Sequence, residues 1–193
     1  MDRSKVPAVL SIAGSDSSGG AGIQADIKTI TAHRLYAETA ITAITAQNTL
    51  GVTAVQNISP DIVAAQIDAV FDDIRPSAVK IGMVSSAEII EVIADRLGAW
   101  DAQNIVVDPV MVATSGARLI AEDAAEALTR RLFPLATVIT PNIPEAMALL
   151  DYEVDSERTQ QNAAMLLTRR FGCASLVKGG HFVNEANDCL LYT

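Results

Sequence analysis

The segment Ala8-Val9-Leu10-Ser11-Ile12-Ala13 runs into Gly14-Ser15-Asp16-Ser17-Ser18-Gly19-Gly20-Ala21 and then into Gly22-Ile23-Gln24-Ala25-Asp26. A short apolar run reads as a strand, the small residues as a tight loop, and the stretch from Gly22 onward as a helix. Glycines in such a loop let backbone amides approach a ligand, and a helix start favours an anion or a polar group. The segment is neither a P-loop, since no Gly-Lys-Ser/Thr follows, nor a dinucleotide fingerprint, since Gly-x-Gly-x-x-Gly is absent. On its own it reads equally as a plain tight turn.

Working outward, the same strand-then-helix alternation fills the chain. Strands are expected over 8–13, 39–45, 78–81, 105–108, 137–140 and 175–178, with a further strand at the end around Cys189. Helices are expected over 22–32, 62–74, 87–97, 121–132, 144–149 and 157–171. Ile67, Val70, Phe71 and Ile74 recur at helical spacing, as do Ile89, Ile90, Ile93 and Leu97, so both sets should face a sheet. Near-continuous apolar strands separated by such helices imply an α/β fold, a mostly parallel sheet with helices on both faces. The 193 residues suit one domain, and no linker, low-complexity segment or repeat divides them.

Composition narrows the function. Half the residues are apolar but only 4% are aromatic, and the formal charge is −9. Such a chain repels nucleic acid and anionic membranes at long range. The pairs Arg130-Arg131 and Arg169-Arg170 are isolated and read as solvated helix ends. Two cysteines without a C-x-x-C pair exclude a disulfide scaffold or a cysteine-built zinc site and fit a reducing compartment. No apolar stretch is long enough to span a bilayer, and a cytoplasmic location is expected.

Open parallel sheets bind ligands beyond the carboxyl ends of their strands. Here those ends carry Gly14-Ser15-Asp16, Gln47-Asn48, Gly82-Met83, Asp108-Pro109-Val110, Pro141-Asn142 and Lys178-Gly179-Gly180. Polar or glycine chemistry sits at every one, which points to an active site. Asn142-Ile143-Pro144-Glu145 has two readings: a carboxylate beside an amide for a hydrated Mg²⁺, or a helix cap with Asn142 as N-cap and Glu145 three residues on. Asp108 could start a turn or stand near metal and phosphates. Lys178 could neutralise phosphate charge. His181 reads as packing or loop-polar, and His33 as a surface or capping residue, so a histidine-built metal site has little support.

The ordered set from Ile12 to Asp26, Ala46-Gln47-Asn48-Thr49, Lys80-Ile81-Gly82-Met83, Asp108-Pro109-Val110-Met111, Thr140-Pro141-Asn142-Ile143-Pro144-Glu145-Ala146 and Lys178-Gly179-Gly180-His181 resembles the hydroxymethylpyrimidine/phosphomethylpyrimidine kinase family of thiamine biosynthesis. The resemblance covers essentially the whole chain. It implies a ribokinase-like fold and ATP-dependent phosphorylation of 4-amino-5-hydroxymethyl-2-methylpyrimidine, then of its monophosphate. It further implies that Gln47 hydrogen-bonds the aminopyrimidine edge and that Gly14, Asp26, Thr45, Met83 and Val110 line the pocket. Asn142 and Glu145 match the Mg²⁺–phosphate motif, Asp108 and Lys178 assist at the phosphates, and a homodimer is expected. The runner-up is a pyridoxine or pyridoxal kinase of the same superfamily.

Two departures stand out. Ser17 occupies a position where the family pattern has proline, and is expected to cost little beyond loop rigidity. The family's Gly-Thr-Gly-Cys or Gly-Thr-Gly-Asp loop, with its anion hole and base, is absent. The expectation is therefore a single kinase domain over 1–193 lacking its C-terminal catalytic segment, with no catalytic base up to Thr193 and negligible turnover. A non-catalytic pyrimidine-binding module is the corresponding alternative.

Overall fold

The computed structural model describes residues 6–111, 121–180 and 187–192; His181 and Thr193 lie outside them. The strands are β1 (Ala8–Asp16), β2 (Tyr36–Asn48), β3 (Gly51–Asn57), β4 (Ala78–Ile81), β5 (Ile105–Val107), β6 (Val138–Ile139), β7 (Ala174–Val177) and β8 (Cys189–Leu191). The helices are α1 (Gly22–Ala32), α2 (Pro60–Asp73), α3 (Ala87–Ala99), α4 (Glu122–Ala127), α5 (Ile143–Leu150) and α6 (Glu157–Phe171). Among the described residues all eight strands form one sheet in the order β3-β2-β1-β4-β5-β6-β7-β8. The six central strands are parallel, and an antiparallel strand closes each edge.

Alternation along β1 divides its two faces. Leu10 and Ile12 point into the main core with Ile81, Val107, Ile139 and Val177, packed against Ile67, Ile90, Ile93, Leu132 and Leu167. Ser11 points the other way, where its hydroxyl donates to Asp26 of α1 at 2.6 Å. Helices α2–α6 therefore cover one face and α1 the other, as right-handed crossovers require once the chain reverses direction after β2. Ile89, Ile90, Ile93 and Leu97 are all buried as the spacing predicts, whereas Ile74 is 44% exposed because it caps α2 rather than continuing it.

Three expectations change. β3 was not foreseen; it pairs antiparallel with β2 from Asn57 to Gly51, and all seven of its residues are exposed. The predicted helix over 121–132 is one turn and a half of α-helix followed by a π turn, Leu128–Leu132, and a 3-10 turn, Phe133–Leu135. Arg130 and Arg131 are also not simply solvated ends: they reach α3, Arg130 to Glu91 at 2.8 Å and Arg131 to Glu91 and Asp95. His33 caps α1 through its backbone. Among the described residues no helix is long and apolar enough to cross a membrane.

Candidate active site

A cavity of about 310 Å³ opens beyond the carboxyl ends of β1, β2, β4 and β5, lined by Gly14, Thr45, Gln47, Met83, Asp108 and Val110 among others. A larger groove lies elsewhere, between α2 and α3 around Trp100, but it carries none of the residues singled out above. The strand-end cavity collects six of them.

The loop after β1 owes its shape to Asp16. Its carboxylate is buried and accepts from the amides of Ser18, Gly20 and Ala21 at 2.8–2.9 Å and from the Ser18 hydroxyl. These bonds stabilise the ionised form and hold the Asp16 pKa below the ordinary carboxylate value. The loop thus carries its own anion, and the amides expected to greet a ligand anion are already bonded. Gly22 follows with φ +54°, and a Cβ there would lie 2.2 Å from the Gly14 carbonyl oxygen. Only glycine lets α1 start this close to β1.

Gln47 projects from the end of β2 at a register shift between Ala46 and Gln47, the kind of bulge that re-aims a side chain. Ser17 reaches across from the loop: its hydroxyl donates to the Gln47 carbonyl at 2.7 Å and accepts from the Gln47 amide at 2.8 Å. Serine at this position therefore does more than loosen a loop, since it ties the loop to β2. Thr45 is buried and its hydroxyl donates to the Ser15 carbonyl at 2.7 Å.

Asp26 stands behind Lys80: its Oδ2 accepts from Ser11 and from the Lys80 ammonium at 2.8 Å, and Lys80 lines the cavity. Lys80 lies in a quoted motif, yet nothing in the sequence reveals a pairing across 54 positions.

At the opposite end Lys178 and Asp108 form an ion pair at 2.7 Å, and Thr140 also donates to Asp108; both bonds fall on Oδ1. An isolated parallel bridge joins Asn142 to Lys178, so the sheet ladder itself sets these two side by side. Asn142 and Glu145 form a complete capping box on α5. Glu145 Oε2 accepts from Asn142 N at 2.8 Å, and Oε1 from Met111 N at 3.3 Å. Burial pushes the Glu145 pKa up; the two amides and Lys178 oppose this, and Asp108 adds to it. The capping reading holds in full, and the link to Met111 ties α5 to the loop after β5. Among the described residues no group of three acidic, histidine or cysteine side chains could hold a metal.

Comparison with known proteins identifies relatives of the chain as a whole. The profile of the phosphomethylpyrimidine kinase family matches residues 16–193. Hydroxymethylpyrimidine/phosphomethylpyrimidine kinase of Rhizobium meliloti is 54% identical over 183 residues, covering 93% of this chain and 68% of the relative. The crystal structure of phosphomethylpyrimidine kinase from Clostridium difficile 630 superposes with a TM-score of 0.92 at 48% identity, over 98% of this chain and 81% of that one. An ADP complex of Bacillus subtilis pyridoxal kinase superposes at 0.88 with 37% identity, over 97% and 72%. Sequence and ribokinase-like fold thus agree, and the chain belongs to the phosphomethylpyrimidine kinase family.

Proposed function

We propose that the cavity binds 4-amino-5-hydroxymethyl-2-methylpyrimidine and presents first its hydroxymethyl group, then the phosphate of its monophosphate, to MgATP. The observation that carries this reading is the polarity of the site. Toward β2 the cavity offers the Gln47 amide, with Gly14 and Met83 also in its lining, suited to a flat ring with one hydrogen-bonding edge. The other end holds the Lys178–Asp108 pair, suited to phosphates. The amides at the start of α1 are already bonded to Asp16, so phosphate groups belong at the β5–β7 end. Phosphoryl transfer asks mainly for positioning and charge neutralisation, and these residues supply both. The base for the substrate hydroxyl is not assigned to any of them.

Relatedness supports the nucleotide, since the solved Bacillus subtilis relative is an ADP complex. Mg²⁺ in such sites keeps most of its waters and leans on phosphates plus one or two carboxylates. Asp108 fits that role through Oδ2, and Glu145 fits only through water because both of its oxygens accept amides. When bound, the ion would offset phosphate charge. Residues 1–193 are read as one domain, supported by the single sheet. A homodimer joined through the β2–β3 ribbon is supported by the exposed Ile44, Leu50, Val52 and Val55. Pyridoxal phosphorylation is the second reading, disfavoured because the pyridoxal kinase is the more distant relative, at 37% against 48% and 54%.

The test is a calorimetric titration of the pyrimidine alcohol and of pyridoxal. Gln47→Ala removes a paired amide worth about 1–3 kcal/mol, so pyrimidine affinity should fall roughly ten- to a hundredfold. Unchanged affinity for the pyrimidine, or tighter binding of pyridoxal to the unmodified chain, refutes the proposal.

A further inference from the structure

We infer that Thr45, with Ser17, fixes which end of the Gln47 carboxamide faces the ligand, so that the cavity selects a ring edge whose substituent donates a hydrogen bond. This rests on Gln47 reading the ring, as proposed above. The argument is one of proton counting. Thr45 Oγ1 carries a single hydrogen, and the Ser15 carbonyl 2.7 Å away can only accept it. The Gln47 Oε1 position lies 3.3 Å from the same hydroxyl. An oxygen there would compete for a hydrogen already given to the nearer carbonyl. A half-turn of the carboxamide exchanges its oxygen and nitrogen at nearly the same places. Placing Nε2 beside Thr45 lets it donate to a lone pair of the hydroxyl, and every partner is then satisfied.

The consequence is directional. With Nε2 anchored on Thr45, Oε1 faces the cavity and must receive a hydrogen, while the second hydrogen of Nε2 remains for an adjacent acceptor. A 4-aminopyrimidine offers that donor and, next to it, a ring nitrogen as acceptor. Its 4-oxo counterpart offers the reverse. Ser17 removes the other escape, since its hydroxyl holds both the amide and the carbonyl of Gln47 and keeps the backbone from turning to present the opposite edge. Thr45 and Ser17 are positioning residues in this scheme, acting on the ligand through Gln47.

The experiment titrates the 4-amino and 4-oxo forms of 5-hydroxymethyl-2-methylpyrimidine into the unmodified chain and into Thr45→Val, Thr45→Ser, Ser17→Ala and Gln47→Ala. The unmodified chain should prefer the amino form by about tenfold or more for each reversed hydrogen bond. Thr45→Val keeps the shape but frees the amide to turn, so the preference should fall about tenfold. Thr45→Ser restores the hydroxyl and should restore the preference, and Ser17→Ala should lower it. A threonine that merely packs would weaken both ligands alike and leave their ratio intact. An unchanged ratio in Thr45→Val, or in Ser17→Ala should Thr45→Val not fold, overturns the inference. If Gln47→Ala leaves both affinities unaltered, the reading of Gln47 itself fails. If Gln47→Ala weakens the amino form while Thr45→Val keeps the ratio, the inference on Thr45 falls alone.

Discussion

Glu38 offers a quantitative test of how the sheet is packed. It sits on β2 with its side chain turned toward the end of α2, where it lines a small groove with Tyr36, Asp73 and Ile74. It is only 7% exposed, and its buried Oε2 has no hydrogen-bond partner among the described residues. Burial first, and the nearby Asp73 charge second, push its pKa up from 4.5 to about 7. A proton is then held more tightly in the folded chain than in the unfolded one. Stability is full below about pH 4.5 and is lost as pH rises toward 7. Ionised Glu38 costs at most about 3 kcal/mol. Glu38→Gln removes the charge but leaves a buried amide to satisfy, at about 1 kcal/mol. The net gain should be about 2 kcal/mol at pH 8, a rise in Tm of roughly 4–8 °C for a chain of this size. Thermal melts of both proteins from pH 4.5 to 8.5 check this. A gain as large at pH 5 as at pH 8 would show that packing, not ionisation, is responsible.

Other perturbations act nearer the cavity. Glu145→Gln has one acceptor oxygen where the native side chain uses two, so it can keep the Asn142 or the Met111 amide but not both; stability should drop by about 1–3 kcal/mol in a denaturant titration. A variant as stable as the parent would show that the Met111 bond contributes nothing. Gly22→Ala drives a methyl group into the Gly14 carbonyl and should cost about 3 kcal/mol or more, with a matching fall in Tm. Lys178→Met leaves Asp108 without its cation, and nucleotide affinity measured by titration should fall about tenfold; undiminished binding removes Lys178 from the phosphate end.

Much of this was legible because burial writes a period into sequence. Strands at 78–81 and helices such as 22–32 and 157–171 sit where the pattern put them, and α3 buries the residues its spacing named. Asn142 and Glu145 could be read as a cap because a capping box is a local, three-residue relation. β3 could not be read, since a strand exposed on both faces carries no burial pattern. Local spacing is equally silent on contacts between distant positions. Ser17 meets Gln47 across 30 residues, Lys80 meets Asp26 across 54, and Glu145 meets Met111 across 34. Asp16 is the instructive case: its loop looked ready for an outside anion, yet the aspartate in the same loop already bonds those amides.

The position of β3 has a bearing on motion. It is bonded to the sheet along one edge only, and all seven of its residues face solvent. Opening it breaks one ladder rather than two, so in the isolated chain its amides should exchange with deuterium earlier than those of β1 or β4, which lie between paired neighbours. Val52 of this strand forms part of the cavity wall. That wall is therefore the most lightly held part of the cavity in the isolated chain, and a partner copy covering the ribbon should slow its exchange.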